Sequence, residues 1–318
     1  MTAAPAPAST PAASKTLLLV AFATVYVVWG STYLAIRIAV EHWPPLWLAA
    51  VRFAIAGGGL YAVLRLRGAP APGWRAWLAA TAVGGLMLAG GNGTVCWAEQ
   101  WVPSGETSLI LSAGPLWTVL LPWLFRRSKA PRPLVALGVI VGLAGVAVLI
   151  GGPQHGTKAV GAAAGAAGGR ALLWARLSLL GASLSWVIGS LIAHRVPLPK
   201  AAALATAMEM VVAAPILALA AAAHGDLAHF SFSAIPAVGW TALAYLVVFG
   251  SLAGFGSYIY VLVHAGPTRA STGAFVNPLI AVVLGAALAS EPIGPRTAIA
   301  AAMIIAAVAG VIWGTARR

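Results

Sequence analysis

Glu209 stands in AAALATAMEMVVAAPILA (201–218), a run with no other charge. A carboxylate at that depth in lipid costs on the order of 3 kcal/mol on insertion scales, so it must be protonated, paired or turned toward water. A protonatable group inside a membrane can carry a coupling proton or hold an amine-bearing ligand. The alternative is a glutamate facing a water-filled cavity in a purely structural role. Arg52, in AVRFAIA (50–56), is the candidate cation. The two lie at different depths, Glu209 toward the cytoplasm and Arg52 toward the outside, which argues against direct pairing. His264 and His194 close apolar runs at their inner ends; an unperturbed histidine titrates near neutrality, but interfacial anchoring is the better account of both.

A second set is aromatic and hydroxylic. Tyr26, Trp29, Tyr33 and Arg37 are spaced i, i+3, i+7 and i+11, one helix face. Ser183, Trp186, Ser190 and His194 repeat that spacing 157 residues later. Two such faces meeting would line a cavity with ring planes and hydroxyls, which suits an amphipathic small molecule. Interfacial anchoring fits Trp43, Trp47, Trp74 and Trp77, near run ends, better than mid-run Trp29 and Trp186. Asn92, Trp97, Tyr258 and Asn277 either join such a cavity or tie helices together by hydrogen bonds. Pro115 and Pro278 each fall about ten residues into a run; a proline lacks the N–H for the i to i−4 bond and kinks the helix, so both read as gating kinks. No HExxH, CxxC, His–carboxylate metal spacing or P-loop is present, so no metal, nucleotide or other cofactor is expected. Cys96, the single cysteine, excludes an intrachain disulfide.

The elements that must position these residues follow from composition. Of 318 residues 61% are hydrophobic and 8% charged, against about 25% charged in soluble domains. Mean hydropathy is +0.93. That excludes a soluble enzyme, a disordered chain and a nucleic-acid-binding protein, the net charge of +13 notwithstanding. A bilayer core about 30 Å thick takes roughly 20 apolar residues as helix. Runs of that kind cover 16–37, 46–64, 76–98, 105–125, 133–151, 172–194, 201–223, 237–263, 268–290 and 296–314, separated by Pro, Gly and charge. The expected fold is all-α and polytopic, with a disordered cytoplasmic tail over 1–15, five helices over 16–151, a linker over 152–171 and five helices over 172–316. The 21 uncharged residues of Thr16 to Ile36 exceed the apolar core of a cleaved signal. With a cytoplasmic N-terminus, 13 of the 19 basic residues fall on the inner side, as the positive-inside bias requires. Both termini are therefore cytoplasmic. Glu41, Glu99, Glu106, Asp226 and Glu291 fall in the outer connections.

The halves resemble each other. Ser108 and Pro115-Leu116 match Ser271 and Pro278-Leu279 at an offset of 163, and Gly145-Val146 matches Gly310-Val311 at 165. Five spans per half force the second half to lie upside down, a plan shared by many secondary transporters, with the ligand bound at the midplane. YIYVLVHAGPTRASTGAFVNPLIAVVLGAALASEP (258–292) and WGSTYLAIRIA (29–39) resemble EamA repeats of the drug/metabolite transporter superfamily. The resemblance implies two inverted five-helix repeats around a cavity between spans one to four and six to nine, and export of amino acids or other small metabolites. Small multidrug exporters, distant relatives, carry an essential glutamate in their first helix; neither span one nor span six has a carboxylate. The expected protein is an inner-membrane, gradient-driven exporter of small amphipathic metabolites working by alternating access. Its partners are a small-molecule substrate, the lipid bilayer and protons as coupling ion, and it is a monomer or homodimer. An uncoupled facilitator or exchanger is the alternative. An intramembrane lipid-handling enzyme would need a clustered nucleophile, acid–base pair or metal set that the spans lack.

Overall fold

The separators predicted from Pro and Gly are where the helices end. In the computed structural model, which describes residues 14–125, 130–151, 166–228, 230–270 and 272–316, ten apolar helices follow one another. They are α1 (Lys15–Ala39), α2 (Pro45–Leu66), α3 (Trp74–Ala98), α4 (Ser104–Leu124), α5 (Pro133–Ile150), α6 (Ala166–Ala193), α7 (Ala202–His224), α8 (Ala237–Ala265), α9 (Gly273–Ala289) and α10 (Pro295–Ala316). Among the described residues, all but α9 are long and apolar enough to cross a membrane. The 17 residues of α9 are at the lower bound for a span, roughly 17 to 25 residues. Pro45 and Pro133 occupy first-turn positions, where the missing N–H has no helical partner to lose. Gly225, with φ 84°, closes α7 in the left-handed conformation.

Two boundaries differ from expectation. The helix predicted at 172 begins at Ala166, so the last part of the expected linker is helical; Gly168 and Gly169 are buried, and packing overrides their poor helix propensity. Residues 152–165 lie outside the described residues, as do 1–13 and Ser271. The run predicted from 268 is split into a short helix, Pro267–Ala270, and α9.

Packing runs mostly between the halves. α2 lies on α7, α5 on α10, α4 on α9, α1 on α8 and α9, and α3 on α6. Glycines set the close approaches. A Cβ at Gly57 would sit 2.5 Å from the Met210 Cβ and 2.8 Å from the Val211 nitrogen, and one at Gly84 would run into the Glu209 carbonyl. Gly145 similarly admits Ile304, Met303 and the Ala300 carbonyl of α10. Gly58, Gly59 and Gly310 meet nothing, so the glycine run in α2 is only partly a packing feature. Gly57→Ala is therefore expected to lower stability by about 1–3 kcal/mol through overpacking, whereas Gly58→Ala, in open space, raises it slightly through helix propensity. Thermal unfolding of the two variants in nanodiscs checks this.

Two helices are not α throughout. α3 is π-helical over Gly85–Gly93 and α8 over Leu246–Ala253. π segments are rare, are usually single turns and concentrate at functional sites. Here they span nine and eight residues, in the third helix of each half. The end of the bundle bearing the α3–α4, α5–α6 and α9–α10 connections is termed outer, following the charge bias.

Candidate functional site

The spaced face of α1 is fully engaged. The Tyr26 hydroxyl is 2.6 Å from that of Thr272. The Trp29 indole N–H donates to the Gly250 carbonyl at 3.3 Å, and its ring lies 5.4 Å from Phe255 and 5.1 Å from Tyr258. Ser31 meets the Tyr245 hydroxyl at 2.6 Å. Tyr33 packs half-buried against the main core. This face thus reads α8 and the start of α9. The matching face of α6 reads α3 and α4: Ser183 accepts from the Trp117 indole N–H at 2.8 Å, and Trp186 flanks Gly91. Ser190 is half-buried and His194 exposed. Among the described residues no hydrogen bond or ring contact joins the two faces directly; each is matched to the third and fourth helices of the opposite half.

The residue that joins the halves is Arg52. It is 3% exposed. Its Nε donates to the Ser251 hydroxyl at 2.9 Å and its Nη1 to the Asn92 side-chain oxygen at 3.3 Å. Ser251 is in the π segment of α8 and Asn92 in that of α3. One guanidinium from α2 therefore pins both π segments, and Phe53 lies 5.1 Å from its centre. Asn92 also takes a weak contact from the Cys96 thiol at 3.8 Å, and Trp97 is half-buried against the core. Arg52 does not reach Glu209, as the difference in depth predicted. Glu209 is half-buried, with no side-chain hydrogen bond or ion pair among the described residues. The His264 Nδ1 is 2.9 Å from the Tyr260 carbonyl, its ring stacked on Tyr260 at 4.1 Å.

The two prolines behave differently. α4 breaks at Ser112–Ala113, and Pro115 stands in the first turn of the second segment, which begins at Gly114. The break falls one turn before Pro115, where its absent N–H would have bonded. Pro278 lies inside α9, which continues through it; there it still removes the i to i−4 bond of one turn. Beside Pro278, the Asn277 side-chain oxygen is buried without a hydrogen-bond partner among the described residues.

Sequence reasoning placed five acids in the outer connections and gave them no further role. The structure engages Glu41 with Arg37 and Asp226 with His224, and it buries or ties down Glu99, Glu106 and Glu291. Glu106 binds Arg176 of α6 bidentately, Nε to Oε1 at 2.5 Å and Nη2 to Oε2 at 3.1 Å, and Arg176 is 4% exposed. The Glu291 carboxylate accepts the backbone N–H groups of Ser104 at 2.7 Å and Gly105 at 3.0 Å. It thereby caps α4, an arrangement favoured by the helix dipole. Arg296 donates to the Val148 carbonyl at 2.5 Å. These four side chains line an outer cavity of about 200 Å³, which none of the predicted cavity residues touches. Glu99, at the end of α3, is 0% exposed. The acid in the first turn of α4 was a readable signal for Glu106; nothing local marked Glu99. Among the described residues no group of three His, Cys, Asp or Glu is placed to hold a metal ion.

Two stretches, residues 16–151 and 170–313, match the EamA-like transporter family. The chain belongs to that family. This EamA-like chain is 37% identical over 293 residues to the uncharacterized inner membrane transporter YedA of Escherichia coli K12, covering 91% of this chain and 89% of YedA. It is 23% identical over 292 residues to the uncharacterized transporter YvbV of Bacillus subtilis, covering 88% and 86%. A crystal structure of a protein 21% identical to it shares the fold, with a TM-score of 0.57 over 96% of this chain and 100% of that one. The EamA-like chain is a polytopic membrane transporter.

Proposed function

We propose that this EamA-like chain is a secondary carrier of the inner membrane that moves small amphipathic metabolites outward by alternating access, driven by a gradient. Both termini face the cytoplasm, and the two five-helix halves lie inverted about an axis in the membrane plane. The observation that carries this reading is the paired π segments of α3 and α8 pinned by Arg52. Two like elements, one in each half, give a symmetric pair of deformable helices, so two packings of similar energy open to opposite sides. Around them, Trp29, Tyr26, Tyr258 and Asn277 supply ring faces and polar groups suited to a cargo with an apolar body. Glu209, without an ion-pair partner among the described residues, is the protonatable group on the inner half. Pro115, at the break in α4, serves as a hinge.

A metabolite-release screen tests the reading. Cells expressing the chain should release a class of small metabolites that control cells retain. Trp29→Ala should cut that release several-fold at equal membrane abundance, since the ring bridges α1 to α8. In proteoliposomes, an imposed pH gradient should drive accumulation of the released compound against its own gradient. Equal release from wild type and Trp29→Ala would overturn the site, and equilibration without accumulation would overturn the coupling.

A further inference from the structure

Glu99 follows the last turn of α3, in the connection to α4, and is fully enclosed. Both of its carboxylate oxygens are buried without a hydrogen-bond partner among the described residues. A carboxylate in that position is costly unless paired, whereas the neutral acid is tolerated. The charges around it do not pair with it. From α1, Arg37 is engaged with Glu41 at 3.1 Å, and Tyr33 adds only a phenol. From α2, Arg52 is spent on Ser251 and Asn92. From α6, Arg176 is held by Glu106. The α9–α10 connection brings Glu291, a second negative charge. Burial and then Glu291 hold the Glu99 proton well above the usual carboxylate range, with Arg37 opposing.

The turn from Glu99 to Pro103 leads directly into the α4 N-terminus, and that N-terminus is held by the Glu291 clamp on Ser104 and Gly105. Release of that clamp is the step that would free the turn and admit water to Glu99. Resting on the carrier reading above, we infer that Glu99 is a proton-binding site linked to closure of the outer end: it holds a proton while the α3–α4 turn is clamped and releases it to the outer water when the turn opens. By reciprocity, acid on the outer side favours the closed state. Outer protons then drive an emptied carrier to close, a step that the inner-half Glu209 is not placed to perform.

Infrared spectroscopy of the full chain in nanodiscs tests this without any cargo. At neutral pH the wild type should show a protonated-carboxyl C=O band, shifting in deuterium oxide, that is absent from Glu99→Gln. As pH rises the band should fade, and labelling of Cys96 by an impermeant maleimide from the outer side should rise several-fold relative to Glu99→Gln at the same pH. The comparison at each pH removes the thiol's own pH dependence, and the charge of Glu99, one turn from Cys96, opposes thiolate formation, so its direct effect would slow labelling and a rise reports exposure. Because the folded chain holds this proton more tightly than the unfolded chain, Glu99 contributes most to stability below about pH 4.3, and that contribution fades as pH rises through the folded value. Wild type should therefore lose stability relative to Glu99→Gln over that range. Glu99→Asp keeps an acid and should shift the band rather than remove it, which answers the same question should the glutamine variant fail to fold. A band unchanged in both variants overturns the proton site. A band that titrates while Cys96 accessibility stays flat overturns the link to closure. Failure to find any transported compound would instead strike the carrier reading and leave the spectroscopic result standing.

Discussion

Arg52→Lys should raise the rate at which Cys96 is labelled by a thiol reagent by tenfold or more, with the protein still folded. The guanidinium bonds Ser251 and Asn92 simultaneously, at 2.9 and 3.3 Å, because its donors diverge in a rigid fork. An ammonium is a point donor on a flexible stem and does not reproduce that geometry. Losing one hydrogen bond from a charged donor removes about 1.5–3 kcal/mol, which is about ten- to a hundredfold in a conformational equilibrium. The state that loses it is the one with both π segments drawn onto α2. Cys96 is 0% exposed and contacts Asn92 one turn away, so its reactivity reports on that state directly. Arg52→Met should also release the segments, but with a smaller stability penalty than Arg52→Ala, since it fills the space and removes the buried charge altogether. Wild-type labelling in Arg52→Lys would mean that the bridge does not hold the two segments.

How much of this arrangement could be read beforehand depends on whether the deciding interaction is local. The ten helices were legible because span length and proline position are local properties: Pro45 and Pro133 stand in first turns as their chemistry requires. The separation of Arg52 from Glu209 was legible from depth along two helices. The start of α6 was not, because buried Gly168 and Gly169 are held helical by packing against their own propensity. The π segments were not legible either. A shift from i+4 to i+5 bonding leaves no residue signature, and the glycines of Gly85–Gly93 serve a π turn or a close helix contact equally. The matched spacing of the prolines does not carry over to matched helix positions: Pro115 follows a break and Pro278 stands one turn inside α9. The roles of the outer acids were not legible because their partners are distant in sequence. The partners of Glu106 and Glu291 lie 70 and 187 residues away, and in a loop count each acid is simply a charge beside a span.

Those distant partners make the strongest stability prediction. Glu106→Ala should destabilise the folded chain by about 3–5 kcal/mol, because removing one member of a buried pair leaves the other charge uncompensated. Arg176 is 4% exposed and also donates to the Ile150 carbonyl at 3.2 Å, so the guanidinium ties the end of α5 and the start of α4 to α6 at once. It cannot swing into water without giving up that carbonyl. Glu106→Gln retains one acceptor and should cost less. The double change Glu106→Leu with Arg176→Leu should cost far less than the two single changes added together, since an apolar pair of similar bulk avoids desolvating two ions. Unfolding of the four proteins in mixed micelles closes a double-mutant cycle. Strict additivity would mean that the pair is solvated in the folded protein, and that the outer ends of α4, α5 and α6 are joined by apolar packing instead. A large coupling would place the same pair among the contacts that must break whenever the outer end opens, because α4 carries both Glu106 and the N-terminus clamped by Glu291.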